Sequence, residues 1–71
     1  MKELNIELAD ILEVESVTDD EILNSFENWD SLSILSLTAF VDKNYNIQIS
    51  NDDLSDVKTL ADIKNIIAMK N

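Results

Sequence analysis

The 71-residue chain has no cysteine, histidine, glycine, proline or arginine. Without cysteine there can be neither a disulfide nor a thiolate nucleophile, and without histidine the His-based catalytic triads and ordinary zinc sites go as well. The lack of arginine, with 5 basic against 15 acidic residues and a net charge of −10, argues against nucleic acid as a partner, because phosphate backbones are bound by dense Lys and Arg. No segment approaches the roughly 20 consecutive apolar residues of a membrane span, and the N-terminus has no long apolar core, so a cytoplasmic monomer is the expectation. Without glycine or proline, turns rest on Asn, Asp and Ser, which tolerate left-handed backbone best among the remaining types.

What is present is a hydrophobic fraction of 45%, ordinary for a folded protein and too high for disorder. The length fits a single domain spanning residues 1–71. A domain of this size buries only about 60% of its unfolded surface and holds a margin of roughly 3–5 kcal/mol. The acid excess favours encounters with basic patches on other proteins and keeps the chain soluble.

The helical pattern is strongest after Asn28-Trp29-Asp30-Ser31-Leu32. Asp30 reads as an N-cap, since its carboxylate can accept from unpaired first-turn N–H groups. The spacing then predicts a helix over 31–45 whose Leu32, Ile34, Leu35, Leu37, Phe40 and Val41 gather on one core-facing stripe. Ser31 sits in the first turn, where a hydroxyl stays accessible and where helix dipole and free N–H groups favour a phosphate. Trp29 is placed to staple the entry by packing just before the cap.

Upstream, Leu4, Leu8, Ile11 and Leu12 predict a first helix over 4–12. Residues 13–30 read as a long loop, shortened by a helical turn near 19–24 that the capping-box pattern Thr18-Asp19-Asp20-Glu21 would open, with Val17, Ile22, Leu23 and Phe26 pinned on the core. Downstream, Ile47-Gln48-Ile49 reads as an extended connector with both isoleucines buried. Ser50 with Asp53 then caps a short helix reaching about Val57. Thr59 with Asp62 opens a last helix with Leu60, Ile63, Ile66 and Ile67 inward and Lys64 and Lys70 toward its C-terminal end. The expected class is all-α: a four-helix bundle of three main helices and one short one, with the long loop between helices one and two.

Asp30-Ser31-Leu32, preceded by a long loop and followed by an apolar helix, resembles the attachment sequence of acyl carrier proteins. The likeness extends over nearly the whole chain: Ile47-Gln48-Ile49-Ser50 resembles the connector after that family's second helix, residues 51–57 its short third helix, and Thr59-Leu60-Ala61-Asp62-Ile63 the start of its fourth. The resemblance implies that Ser31 bears a 4′-phosphopantetheine arm, placed by a phosphopantetheinyl transferase using Mg²⁺ and coenzyme A. Asp30 would hold the helix start, and Leu32 would be a recognition contact or a core residue beside the site. It implies a carrier with no catalysis of its own, holding an acyl or aminoacyl group as a thioester. Its partners would be an activating ligase, synthase or acyltransferase with basic docking patches.

Two features depart from the fatty-acid members of that family. The helix after the serine offers only Asp42 as an acid, beside Ser33, Ser36, Thr38 and Lys43, while acid gathers at 13–27 and 52–56. Trp29 stands where a small residue is common. Both favour a specialised carrier, in a polyketide, peptide-like or surface-polysaccharide pathway, over a housekeeping fatty-acid role. The alternatives are an acidic helical interaction module without a covalent cofactor, and a divalent-ion binder using Asp52, Asp53 and Asp56, which lacks the glycine of a calcium loop.

Overall fold

Leucines at four-residue intervals set the first helix. In the computed structural model, which describes residues 2–70, α1 runs Lys2–Leu12 with Leu4, Leu8, Ala9 and Leu12 buried along one side. Ile6 points away from that line and is exposed. The helix ends in a Schellman arrangement, Glu13 N–H donating to the Asp10 carbonyl at 3.2 Å and Val14 N–H to the Ala9 carbonyl at 3.0 Å. Glycine usually takes the left-handed position of this motif. Here Glu13 occupies it at φ 59°.

The main helix, α2, spans Ser31–Tyr45, as the cap at Asp30 and the break after Tyr45 predict. Its left-handed C-terminal residue is Asn46, at φ 60°, whose N–H returns to the Asp42 carbonyl. Its buried line is not the expected stripe. Ser33, Leu37 and Val41, again four apart, face inward, and Ile34, Phe40 and Tyr45 are half-buried, whereas Leu32 and Leu35 point to solvent. Apolar side chains occupy nearly every direction around this helix, so periodicity alone does not choose the core face; packing against the neighbouring helices does. Phe40 and Tyr45 meet edge to face, with ring centroids 6.2 Å apart. Burial pushes the Tyr45 phenol above its ordinary value.

Ile47 and Ile49 are buried and Gln48 exposed, as alternation along an extended connector requires. The short helix α3, Asn51–Leu54, opens on the expected reciprocal box: Ser50 Oγ accepts from Asp53 N–H at 3.1 Å, and Asp53 Oδ2 from Ser50 N–H at 3.0 Å. It stops three residues before the expected Val57 and buries none of its side chains fully. The last helix, α4, spans Leu60–Lys70 with Leu60, Ile63 and Ile67 buried and Ile66 half-buried. Thr59 and Asp62 exchange the expected pair of bonds, and Asp62 Oδ2 also accepts Lys58 N–H at 2.9 Å.

The segment between α1 and α2 is fastened along its length. Asn5 Nδ2 donates to the Val17 carbonyl and to Asp19 Oδ1, both at 2.9 Å. Lys64 Nζ reaches the same Asp19 oxygen at 2.8 Å, so Lys64 serves a loop-to-helix tie and not the end of its own helix. Ala61 N–H donates to the Asp19 carbonyl, and Leu23 N–H to the Lys58 carbonyl, both at 2.9 Å. The helical turn here is a 3₁₀ turn at Leu23–Ser25, later than the Thr18 pattern suggests. Glu21 does reach back to Thr18 N–H at 2.8 Å, but a turn, not a helix, follows. Val17 and Leu23 are buried and Phe26 and Trp29 half-buried, while Ile22 is exposed. Ile22 pairs as an isolated bridge with Thr59, and in extended backbone its side chain must point opposite to that of Leu23. Among the described residues there is no strand, and no helix is long and apolar enough to cross a membrane.

Two predictions follow from this packing. Leu37 is fully buried, so Leu37→Ala should cost about 2–5 kcal/mol. That is most of the roughly 3–5 kcal/mol margin of so small a domain, and a urea titration should find the variant largely unfolded. The second concerns acid. Lys64 and Asn5 hold the Asp19 carboxyl below the usual carboxylate range; backbone N–H bonds do the same for Asp53, from Ser50 with Lys70 adding, and for Asp62, from Lys58 and Thr59. These groups hold protons less tightly folded than unfolded. Their contribution is therefore complete above a pH of about 4 and drains away as pH falls through their lower folded values. The urea midpoint should fall on acidification below that point, and Asp19→Asn should flatten the fall.

Candidate functional site

The site grows from a capped helix start. Asp30 has extended backbone, φ −142° and ψ −171°, and its Oδ1 accepts Ser33 N–H at 3.0 Å. In return Ser33 Oγ accepts Asp30 N–H at 3.2 Å. The Ser33 hydroxyl has two acceptors for its single proton, the Asn28 carbonyl and Asp30 Oδ1, the latter at 2.9 Å. The Asn28 amide in turn donates to the Leu12 carbonyl and to Glu13 Oε2, both at 3.0 Å. The end of α1 is thus bonded through Asn28 and Ser33 to the first turn of α2. Trp29, half-buried on the core just before the cap, holds the chain's entry as a staple would.

This framework leaves Ser31 outside it. Ser31 is the first residue of α2 and is exposed, and no protein hydrogen bond engages its hydroxyl among the described residues. The hydroxyl stands at the positive end of the helix dipole, which favours a bound or attached phosphate. The Asp30 carboxyl is kept below its usual range, first by the Ser33 N–H bond and then by the Ser33 hydroxyl, so a fixed negative charge sits beside Ser31 at neutral pH.

Leu32, one residue further on, is 73% exposed and so belongs to the surface and not the core. Leu35, a turn beyond Ser31, is 66% exposed. Beside them a groove of about 440 Å³ runs between α2 and α3, walled by Ser31, Ile34, Leu35 and Thr38 on one side and Asn51, Leu54 and Ser55 on the other. It adjoins a second groove of about 520 Å³ that shares Leu35 and Thr38 and continues to Asp42, Asp53 and Lys70. Lys70 Nζ lies 3.2 Å from Asp53 Oδ2 across that second groove.

Asp30, Ser31 and Leu32 are therefore brought together at one surface point, and Ser31 alone of them presents a free nucleophilic group. Asp52, Asp53 and Asp56 form no ion site: among the described residues no three acidic side chains converge to hold a metal, and Asp53 is already committed to Ser50 and Lys70. Sequence reasoning passed over Ser33 and Asn28, which fix the site. Asp30-x-x-Ser33 is a capping box with serine where Glu or Gln is usual, so the signal was present in a less familiar form.

The helix order Lys2–Leu12, Ser31–Tyr45, Asn51–Leu54 and Leu60–Lys70, with the long fastened loop before the second helix, has a solved counterpart. The solution NMR structure of a holo acyl carrier protein from Geobacter metallireducens superposes with a TM-score of 0.78 over 97% of this chain and 82% of that one, at 21% identity. The chain has the acyl-carrier-protein fold. No family model matches the sequence, and no curated protein matches it. The likeness is thus one of architecture more than of sequence, and it assigns the four helices of this chain, in order, to the helices of the carrier fold.

In that fold the serine at the start of α2 is held by the bonds behind it. Ser33→Ala removes the hydroxyl that joins Asn28 to Asp30 and leaves the Asn28 carbonyl short of a donor, so it should lower stability by about 1–2 kcal/mol in a denaturant titration. It should also broaden or shift the amide resonances of residues 28–33 while leaving those of α4 in place.

Proposed function

We propose that this chain is an acyl carrier protein, with Ser31 as the attachment point of a 4′-phosphopantetheine arm. The observation that carries the reading is the exposed, unbonded Ser31 hydroxyl at the first residue of α2 in a carrier fold, with Asp30 capping the helix beneath it. The neighbour of the same fold is a holo acyl carrier protein, which supports extending the cofactor to this chain.

The residues present suit the group. Ser31 Oγ is open to approach, the dipole of α2 favours the phosphodiester, and the uncharged groove between α2 and α3 begins at Ser31 itself. In the transferase reaction Ser31 Oγ forms the new bond to phosphorus. The P–O bond of the coenzyme A pyrophosphate breaks, adenosine 3′,5′-bisphosphate leaves, and the serine proton passes to a base on the transferase. When bound, the arm supplies the thiol that this chain lacks, on which an acyl or aminoacyl group is held as a thioester. Ser33 and Asn28 fix the position of Ser31, and Leu32 stands outward beside it as a contact for partner enzymes. The chain itself catalyses nothing.

On this reading residues 1–71 form one carrier domain, a cytoplasmic monomer. A phosphopantetheinyl transferase and an acyl- or aminoacyl-activating ligase, synthase or acyltransferase are its partners. The scarcity of acid on α2 favours a specialised role in polyketide, peptide-like or surface-polysaccharide synthesis over fatty-acid synthesis. An acidic interaction module without a cofactor would leave the presentation of Ser31 unexplained.

The test is an intact mass after incubation of the purified chain with a broad-specificity phosphopantetheinyl transferase, Mg²⁺ and coenzyme A. One phosphopantetheine should be gained by the wild type and by Ser33→Ala, and none by Ser31→Ala with its fold intact. A folded wild type that gains nothing would overturn the carrier reading.

A further inference from the structure

A helix that ends in a Schellman or related motif needs one residue in left-handed backbone just past its last turn. Both α1 and α2 end on such a residue, and the chain has no glycine to supply it. At the end of α2 the position falls to Asn46, a type whose short amide relieves the conformation by local hydrogen bonding. At the end of α1 it falls to Glu13, φ 59°, whose Cβ crowds the following carbonyl without that relief. Non-glycine residues persist in this region where their surroundings hold them, and they gather at functional sites.

The Glu13 side chain shows what is gained. Its Oε2 accepts Asn28 Nδ2 at 3.0 Å. The same Asn28 amide donates to the Leu12 carbonyl at 3.0 Å, so its nitrogen is committed twice to the end of α1. An amide held through one bond can pivot about it, whereas one held through two has its plane set. Beyond it the Asn28 carbonyl accepts the Ser33 hydroxyl, and Ser33 exchanges bonds with Asp30 on either side of Ser31. Glu13, Asn28, Asp30, Leu32 and Ser33 share the walls of one recess of about 270 Å³ between the end of α1 and the first turn of α2. A glycine at position 13 would end α1 with less strain and would leave Asn28 with a single anchor.

We infer that Glu13 is a positioning residue for the modification of Ser31: it fixes Asn28 from the end of α1, and through Asn28 and Ser33 it sets where the Ser31 oxygen stands. The inference rests on the carrier reading above. Because Glu13 acts through the cap and not on the reacting atoms, its loss misplaces the attacking oxygen, which lowers the rate of the bound complex more than its affinity.

The experiment uses the full chain with a broad-specificity phosphopantetheinyl transferase, Mg²⁺ and coenzyme A, and compares the wild type with Glu13→Gly, Glu13→Gln, Asn28→Ala and the double variant Glu13→Gly/Asn28→Ala. Glu13→Gly removes the backbone strain together with the anchor, so its urea midpoint should stay near the wild-type value. Its kcat should fall by roughly threefold to tenfold with KM unchanged, and the amide resonances of residues 28–33 should shift in the unmodified protein. Glu13→Gln keeps an acceptor oxygen at the same reach, so it should restore those resonances and bring kcat to within about twofold of the wild type. In the Asn28→Ala background Glu13→Gly should have no further effect on kcat, since the path runs through Asn28. If Glu13 only ends a helix, Glu13→Gly raises the midpoint while kcat and residues 28–33 keep their wild-type values, and that result overturns the inference and leaves the carrier reading standing. Losses at Glu13 and Asn28 that simply multiply would overturn it too, as would a Glu13→Gln as slow as Glu13→Gly, because charge and not the bond would then be acting. If the folded wild type is never modified, the carrier reading fails and the role in modification with it, while the resonances of residues 28–33 still report whether Glu13 holds the cap.

Discussion

The start of α2 is held by one small set of bonds on which the geometry around Ser31 depends. Asp30 and Ser33 cap each other, Ser33 reaches the Asn28 carbonyl, and Asn28 reaches the last carbonyl of α1 and the Glu13 carboxylate beyond it. Each bond alone is an ordinary one of modest net value. Together they join the C-terminal end of one helix to the N-terminal start of another through side chains too short to swing far. The serine between Asp30 and Ser33 takes no part, and this is why it can be firmly placed and chemically free at once.

Much of this was legible in the residues. Asp30, Ser50 with Asp53 and Thr59 with Asp62 announced three helix starts, because a short polar side chain before an apolar run has a specific use, the unpaired N–H groups of the first turn. Ile47 and Ile49 announced a buried extended connector by alternation. The buried side of α2 was not legible. With apolar residues at 32, 34, 35, 37, 39, 40 and 41, several faces compete, and the choice of Ser33, Leu37 and Val41 is made by contacts with other helices. The same limit applies to Lys64. Its partner Asp19 lies 45 residues away in sequence, and helix-end rules see only local neighbours. Ile22 fell outside because Leu23 donates to Lys58, and in extended chain one neighbour's burial exposes the other.

The electrostatics divide between use and surplus. Asp19, Asp30, Asp53 and Asp62 all hold their protons less tightly than usual because each caps a turn or meets a lysine. Two lysines of the five close pairs between segments distant in sequence, Lys64 with Asp19 and Lys70 with Asp53. The remaining acids stay around the molecule and add to its solubility; the Asp30 carboxylate keeps a negative charge beside Ser31, and the groove between α2 and α3 has no ionisable group in its walls.

The long segment between α1 and α2 looks, in composition, like the first part of the molecule to come loose. Its bonds make it otherwise. The Leu23 N–H is held by the Lys58 carbonyl and the Ala61 N–H by the Asp19 carbonyl, while Asn5 ties the same region to α1. The segment and the start of α4 therefore open together or not at all, and opening them removes Val17 and Leu23 from the core at the same time. In hydrogen-exchange terms they form one unit of opening free energy with the helices they bridge. The helix α3 differs: it is a single turn with no fully buried side chain, held by Leu54 against the core and by the pair of Asp53 with Lys70.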